Sequence, residues 1–180
     1  MGTIQKTVTV FGTAQTKPGD ADYEEARVVG RLLAEAGFAV TTGGYYGAME
    51  AVSRGAKDAG GRTRGITLTI FDPNPPNQWV DEEEKVINFF IRLEKLIYTG
   101  DAYIVLRGGI GTLTELGLTW SLIQTNCIER KPLVLVGEAW AAMWEAFRAH
   151  CIIRPADYDL VTLVRTPVEA VAFIRQSLRY

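Results

Sequence analysis

The run Arg107-Gly108-Gly109-Ile110-Gly111-Thr112-Leu113-Thr114-Glu115 concentrates the chemistry of this chain. Glycines at 108, 109 and 111 leave backbone N–H groups open to an anion, because no Cβ stands in the way. Thr112 adds a hydroxyl donor and Glu115 a carboxylate. The apolar run Ala102-Tyr103-Ile104-Val105-Leu106 reads as a buried strand, and the apolar-periodic stretch from Leu113 to Thr125 reads as a helix. A glycine turn between strand and helix places N–H groups and a favourable dipole at the helix start, which suits a phosphate. An acid beside that cradle points to acid–base or electrostatic chemistry on a phosphorylated substrate.

Two shorter features accompany it. Thr42-Gly43-Gly44-Tyr45-Tyr46-Gly47-Ala48-Met49-Glu50 repeats the strand–turn–helix grammar, with a glutamate again six residues after the second glycine. Gly12-Thr13 closes the β-rich run Thr7-Val8-Thr9-Val10-Phe11. Common phosphate fingerprints do not fit. A P-loop needs Lys then Ser or Thr at the helix start, where this chain has Thr112-Leu113 and Ala48-Met49. The dinucleotide fingerprint needs a third glycine where Thr114 stands, and expects its motif after the first strand. A Gly-x-Ser-x-Gly elbow is absent.

The elements that must position these groups alternate. Strands are expected at Thr7–Phe11, Phe38–Thr42, Thr63–Phe71, Ala102–Leu106 and Lys131–Gly137, with a short edge strand at Leu160–Val164. Helices are expected at Ala21–Ala36, Ala48–Ala59, Ile91–Tyr98, Leu113–Thr125, Trp140–Ala149 and Pro167–Leu178. Asp72-Pro73-Asn74-Pro75-Pro76-Asn77 reads as a loop, as does Arg154–Asp159, and Val86–Phe90 is open between strand and loop. The acidic run Asp81-Glu82-Glu83-Glu84 reads as a solvated face or helix start. The pattern predicts one α/β domain over residues 1–180: a Rossmann-like, doubly wound, mainly parallel sheet with helices on both faces. A doubly wound order would set the Thr7–Phe11 and Ala102–Leu106 strands side by side, bringing their glycine loops into one crevice.

Taken together, the Thr42–Glu50 turn, Arg92 and the Arg107–Glu115 run resemble the LOG ("lonely guy") family. These are cytokinin riboside 5′-monophosphate phosphoribohydrolases, long mislabelled lysine decarboxylases. The family hallmark, Pro-Gly-Gly-x-Gly-Thr-x-x-Glu, follows an arginine by fifteen positions, the interval from Arg92 to Arg107 here. The resemblance runs from about Thr7 to Val136. It implies hydrolysis of the N-glycosidic bond of a nucleoside 5′-monophosphate to free base and ribose 5-phosphate, with no cofactor. Arg92 and Glu115 are then the expected catalytic residues, and Gly12, Thr13, Gly43, Gly44, Met49, Gly108, Gly109, Gly111 and Thr112 the substrate-binding ones. Glu115 would stabilise an oxocarbenium-like sugar and activate water, while Arg92 holds the ribose or phosphate and fixes Glu115 by a charge-assisted hydrogen bond. Two departures stand out. Arg107 replaces the hallmark proline, and Asn88–Lys95 lacks the Met-His-Glu-Arg-Lys pattern of cytokinin-activating members, which leaves the base open. Proteins of the same superfold include molybdenum cofactor carriers, so binding of a phosphorylated cofactor without turnover is the alternative.

Composition bounds the partners. Hydrophobic residues make up 47% and charged ones 22%, with a formal net charge of −2, so no basic field invites nucleic acid. No apolar run reaches the roughly 18 residues of a membrane span, and the expected location is cytoplasmic. Cys127 and Cys151 are expected to be buried free thiols, and His150 lacks neighbours for a metal site. Trp120, Trp140 and Trp144 read as core or subunit interface. The helix after the motif carries Leu113, Leu116, Leu118, Trp120, Leu122 and Ile123 on more than one side, which suits a homodimer or higher homo-oligomer.

Overall fold

A computed structural model describes residues 5–178. The chain builds one seven-stranded, all-parallel sheet from β1 (Thr7–Phe11), β2 (Ala39–Thr42), β3 (Thr63–Leu68), β4 (Glu82–Val86), β5 (Ala102–Val105), β6 (Leu133–Val136) and β7 (Thr162–Val164). Its helices are α1 (Ala21–Glu35), α2 (Ala48–Asp58), α3 (Phe89–Thr99), α4 (Ile110–Gln124), α5 (Glu138–His150), the single turn α6 (Pro155–Tyr158) and α7 (Pro167–Ser177). The spatial order is β4-β3-β2-β1-β5-β6-β7. The chain winds outward from β1 to one edge, returns to β5, and winds to the other, which is the doubly wound arrangement expected.

Alternation along the central strands fills both layers. Val8, Val10, Ile104, Val134 and Val136 face α1, α2 and α7, and Phe11, Tyr103, Val105, Leu133 and Leu135 face α3, α4 and α5. Both faces are therefore dry, as a parallel sheet requires. Trp140 and Trp144 are fully in the core, and Trp120 packs against Trp144 with ring centroids 4.8 Å apart.

Four expectations change. The acidic run is not a helix start but the edge strand β4, in parallel register with β3 from Arg64↔Glu82 to Leu68↔Val86. Its charge obscured it: three glutamates and a lysine give no apolar alternation, yet an edge strand tolerates them on its open side. The Thr63 strand stops at Leu68, where Thr69–Phe71 turns as a short 3₁₀ segment. Within Arg154–Asp159 the chain makes α6, with Pro155 at its first position. Both cysteines are free but exposed, not buried. Among the described residues, no helix is long and apolar enough to cross a membrane.

Candidate functional site

The crevice forms where the winding reverses. β1 and β5 lie side by side, pairing Val8 with Ala102 through Phe11 with Val105. The loops leaving their carboxyl ends diverge onto opposite faces and open a cavity of about 420 Å³. Gly12, Thr13, Met49, Arg92, Gly109, Gly111, Thr112 and Glu115 all line it. A hollow of similar volume, about 410 Å³, lies at the opposite end of the strands around Gln5, Thr7 and Arg62, and holds none of the expected residues.

α4 starts at Ile110, three residues earlier than its apolar pattern indicates. Thr112 is thereby in its first turn and Glu115 one turn further on the same face, and both are buried. Gly109 caps the helix without a side-chain bond, and the first intrahelical hydrogen bond comes from the N–H of Leu113 to the Gly109 carbonyl. The N–H groups of Ile110, Gly111 and Thr112 precede it and are left for another acceptor. A Cβ built on Gly109 or Gly111 would meet no atom within 4 Å, so the open side of this turn faces the cavity.

Arg92 comes from the opposite wall. Asn88 caps α3, its side-chain oxygen accepting the Ile91 N–H at 2.9 Å, and this starts the helix early enough to carry Arg92 under the crevice. The guanidinium donates through Nε to the Ile66 carbonyl at 2.8 Å and through Nη2 to the Gly43 carbonyl at 3.1 Å. Its Nη1 lies 3.9 Å from Glu115 Oε1, an ion pair and not the hydrogen bond expected. Two carbonyls therefore aim the arginine, and Nη1 keeps donors for a ligand.

Burial dominates the electrostatics of this pair. It pushes the Glu115 carboxyl up to about 7, with Arg92 opposing the shift. It also pulls Arg92 below its ordinary value, with Glu115 and then Tyr45 opposing. Desolvation wins at both partners because each is nearly enclosed and the 3.9 Å separation limits the mutual attraction. Near neutral pH Glu115 thus exists in both protonation states, which equips it to take a proton or give one.

Gly43, Gly44 and Gly108 do not line the cavity as expected. A Cβ on Gly43 would lie 2.0 Å from Arg92 Nη2, so Gly43 is the seat of the arginine rather than a wall. Gly44, at φ +80°, backs onto Gly65 and Thr67. Gly108 makes room for Thr112, whose Oγ1 would stand 2.1 Å from an added Cβ. Arg107 points away from the cavity into a neighbouring hollow, where it pairs with Asp22 at 3.3 Å. Tyr45 is packed, its hydroxyl donating to the Leu68 carbonyl and accepting the Leu68 N–H, whereas Tyr46 is open to the cavity. Sequence reasoning missed Gln15, Phe71, Asn74 and Phe89, which also line it.

A family profile described as "Possible lysine decarboxylase" matches residues 49–174. The cytokinin riboside 5′-monophosphate phosphoribohydrolase of Rhodococcoides fascians is 31% identical over 138 residues, 74% of this chain and 68% of that protein. The chain belongs to the LOG family. Solved structures with this LOG-type fold include the molybdenum cofactor binding protein of Rippkaea orientalis, with TM-score 0.80, 24% identity and coverage of 99% of this chain and 100% of that one. The molybdenum cofactor carrier protein of Chlamydomonas reinhardtii has TM-score 0.74 and 23% identity, with coverage of 97% and 99%. Both share the fold across their full length.

Proposed function

We propose that the chain hydrolyses the N-glycosidic bond of a nucleoside 5′-monophosphate, releasing free base and ribose 5-phosphate. The observation that carries this reading is the buried Arg92–Glu115 pair beside the uncapped start of α4. The 5′-phosphate sits on the free N–H groups of Ile110 to Thr112, with the Thr112 hydroxyl as a further donor. The C1′–N bond breaks with its electron pair going to the base nitrogen, leaving positive charge on the sugar. Ionised Glu115 faces that charge and takes one proton from the attacking water, whose oxygen bonds to C1′. Glu115 then gives that proton to the base nitrogen, so the base leaves protonated, the second water proton stays on the new C1′ hydroxyl and the carboxylate is restored. Arg92 orients the ribose hydroxyls through Nη1.

The test is a panel of purine and pyrimidine nucleoside monophosphates with free base as the readout. Base release is expected, and Glu115→Gln is expected to slow it by about 100-fold or more. No base from any monophosphate would overturn the reading. A second reading, carriage of a phosphorylated cofactor as cargo, is favoured by the end-to-end likeness to the Rippkaea orientalis protein. It keeps the phosphate cradle and needs no turnover, so the same panel separates the two. We also place the chain in the cytoplasm, where two exposed free thiols persist, and in a homo-oligomer, because Phe90 and Ile110 stand 82% and 80% exposed on the α3–α4 side.

A further inference from the structure

One wall of the cavity is aromatic and includes Tyr45, Phe71 and Phe89. Tyr45 is its buried member, and its ring lies against Arg92, with the guanidinium carbon 5.9 Å from the ring centroid. That is the reach of a cation–π contact, which gains strength where water is excluded. Tyr45 is itself held at three points. Its hydroxyl makes two hydrogen bonds to the backbone of Leu68, at 3.0 and 2.8 Å. Phe71 meets its ring edge-on at 5.4 Å and 85°. Its carbonyl accepts the side-chain amide of buried Asn77 at 2.7 Å.

The two hydrogen bonds of Arg92 leave a freedom that this ring removes. Nε and Nη2 lie along one edge of the planar guanidinium, and they donate to the carbonyls of Ile66 and Gly43. Two bonds along one edge act as a hinge: they fix that edge and let the far side, which carries Nη1, swing out of plane. Nη1 lies 3.9 Å from Glu115 Oε1, too far for a hydrogen bond to hold it. A ring against the guanidinium face opposes the swing, and the bonds to Leu68 keep the ring from yielding. We infer that Tyr45 is the positioning residue of Arg92: its ring bars the guanidinium from turning on its two carbonyl bonds and so keeps Nη1 facing Glu115. This rests on the reading given above, in which Arg92 and Glu115 work as a pair.

The test is titration of the Glu115 carboxyl in the ligand-free chain, followed by carbon-13 NMR and assigned by its loss in Glu115→Gln. Among the described residues Arg92 is the charged group that acts on Glu115, and Glu115 and Tyr45 are the groups that act on Arg92. The titration therefore reports where Nη1 stands. The wild type is expected to titrate at about 7. Tyr45→Phe keeps the ring, so it should titrate with the wild type while melting lower, because the Leu68 N–H and carbonyl lose their partner. Tyr45→Leu removes the ring. It should titrate higher by about 0.5 or more, as Arg92 swings away and opposes the shift less. It should also cut kcat for base release by about tenfold or more and leave KM within about threefold, since the phosphate cradle on α4 is untouched. Tyr45→Met is a second ring-free variant with a more adaptable side chain, and circular dichroism checks that each one folds. Ring-free variants that titrate with the wild type, or a Tyr45→Phe variant that rises as far as they do, would overturn the inference. Failure of both ring-free variants to fold would make Tyr45 a core residue only and overturn it too. The hydrolase reading fails separately: a wild-type chain that cleaves no monophosphate removes turnover, while the titration needs no substrate and still decides the role of Tyr45.

Discussion

Burial raises the Glu115 carboxyl to about 7 from an ordinary 4.5, even with Arg92 3.9 Å away. Between those two values the unfolded chain has lost this proton and the folded chain keeps it. Glu115 therefore destabilises the fold progressively as pH rises through that window, and the penalty reaches its full size above about 7. The shift already contains the attraction to Arg92, so a neutral isostere escapes the whole penalty. Glu115→Gln is expected to raise stability by on the order of 1–3 kcal/mol at pH 8 and to leave it almost unchanged at pH 4. Denaturant melts at the two pH values measure it; an equal effect at both would remove burial as the cause. A residue that lowers stability at working pH is what a catalytic carboxylate looks like. That an acid would stand close to the start of the helix was legible, but not that Thr112 shares its face, because the apolar pattern begins only at Leu113 while α4 begins at Ile110. The pairing with Arg92 was legible from the spacing, but the expected hydrogen bond is an ion pair at 3.9 Å. The groups that aim Arg92 were not legible: the Ile66 and Gly43 carbonyls come from β3 and the turn after β2, and backbone atoms leave no mark in side-chain type.

At the level of elements, α1 and α2 are pressed together by two glycines that the sequence presents as ordinary helix interior. A Cβ on Gly30 would lie 1.9 Å from the Val52 carbonyl oxygen, and a Cβ on Gly55 1.9 Å from that of Arg27. The contact is reciprocal, each glycine receiving the other helix's backbone. It matters for the site because α1 and α2 carry the loops that meet where the Ala48 N–H donates to the Thr13 carbonyl at 2.8 Å. Helix propensity alone makes Gly→Ala favourable by up to about 1 kcal/mol. Here a backbone oxygen blocks the methyl and cannot swing aside as a side chain would. Gly30→Ala and Gly55→Ala are each expected to lose about 2–3 kcal/mol, a drop of roughly 5–10 °C in Tm. Unchanged or higher melting temperatures would show that the helices separate freely. Sequence patterning located α1 and α2 to within a residue or two but carried no signal for their closeness, because a glycine inside a helix looks the same whether or not another helix lies on it. The aromatic wall escaped for a related reason. Phe71 and Asn74 lie on a segment held by contacts distant in sequence: Asn77 to Gly44, Asp72 to Lys85 and Phe71 to Tyr45.

Across the whole molecule, the sheet has two edges and neither invites another strand. β7 has three residues, and β4 carries Glu82, Glu83 and Glu84. Glu82 pairs with Arg64 at 2.6 Å and Glu84 with Lys95 at 2.8 Å, both partly exposed. Such pairs contribute roughly 0–1 kcal/mol each, so the glutamates are not there chiefly for stability. Their effect is on association: a charged edge repels the next copy and stops the sheet from extending. In the homo-oligomer proposed above, self-association uses the helical side that carries exposed Phe90 and Ile110, where contact between copies can close symmetrically. Light scattering separates these two surfaces. The wild-type chain of 19.9 kDa is expected to run as a dimer or another closed oligomer, and Phe90→Asp to shift it towards monomer. The double change Glu82→Val and Glu84→Val should instead add large, concentration-dependent species while moving Tm by only a few degrees and leaving base release per folded chain intact. A monomeric wild type would remove the oligomer. A double variant that sediments like the parent would remove the protective role of the acidic edge, because nothing else about β4 explains why a strand should be built from glutamates.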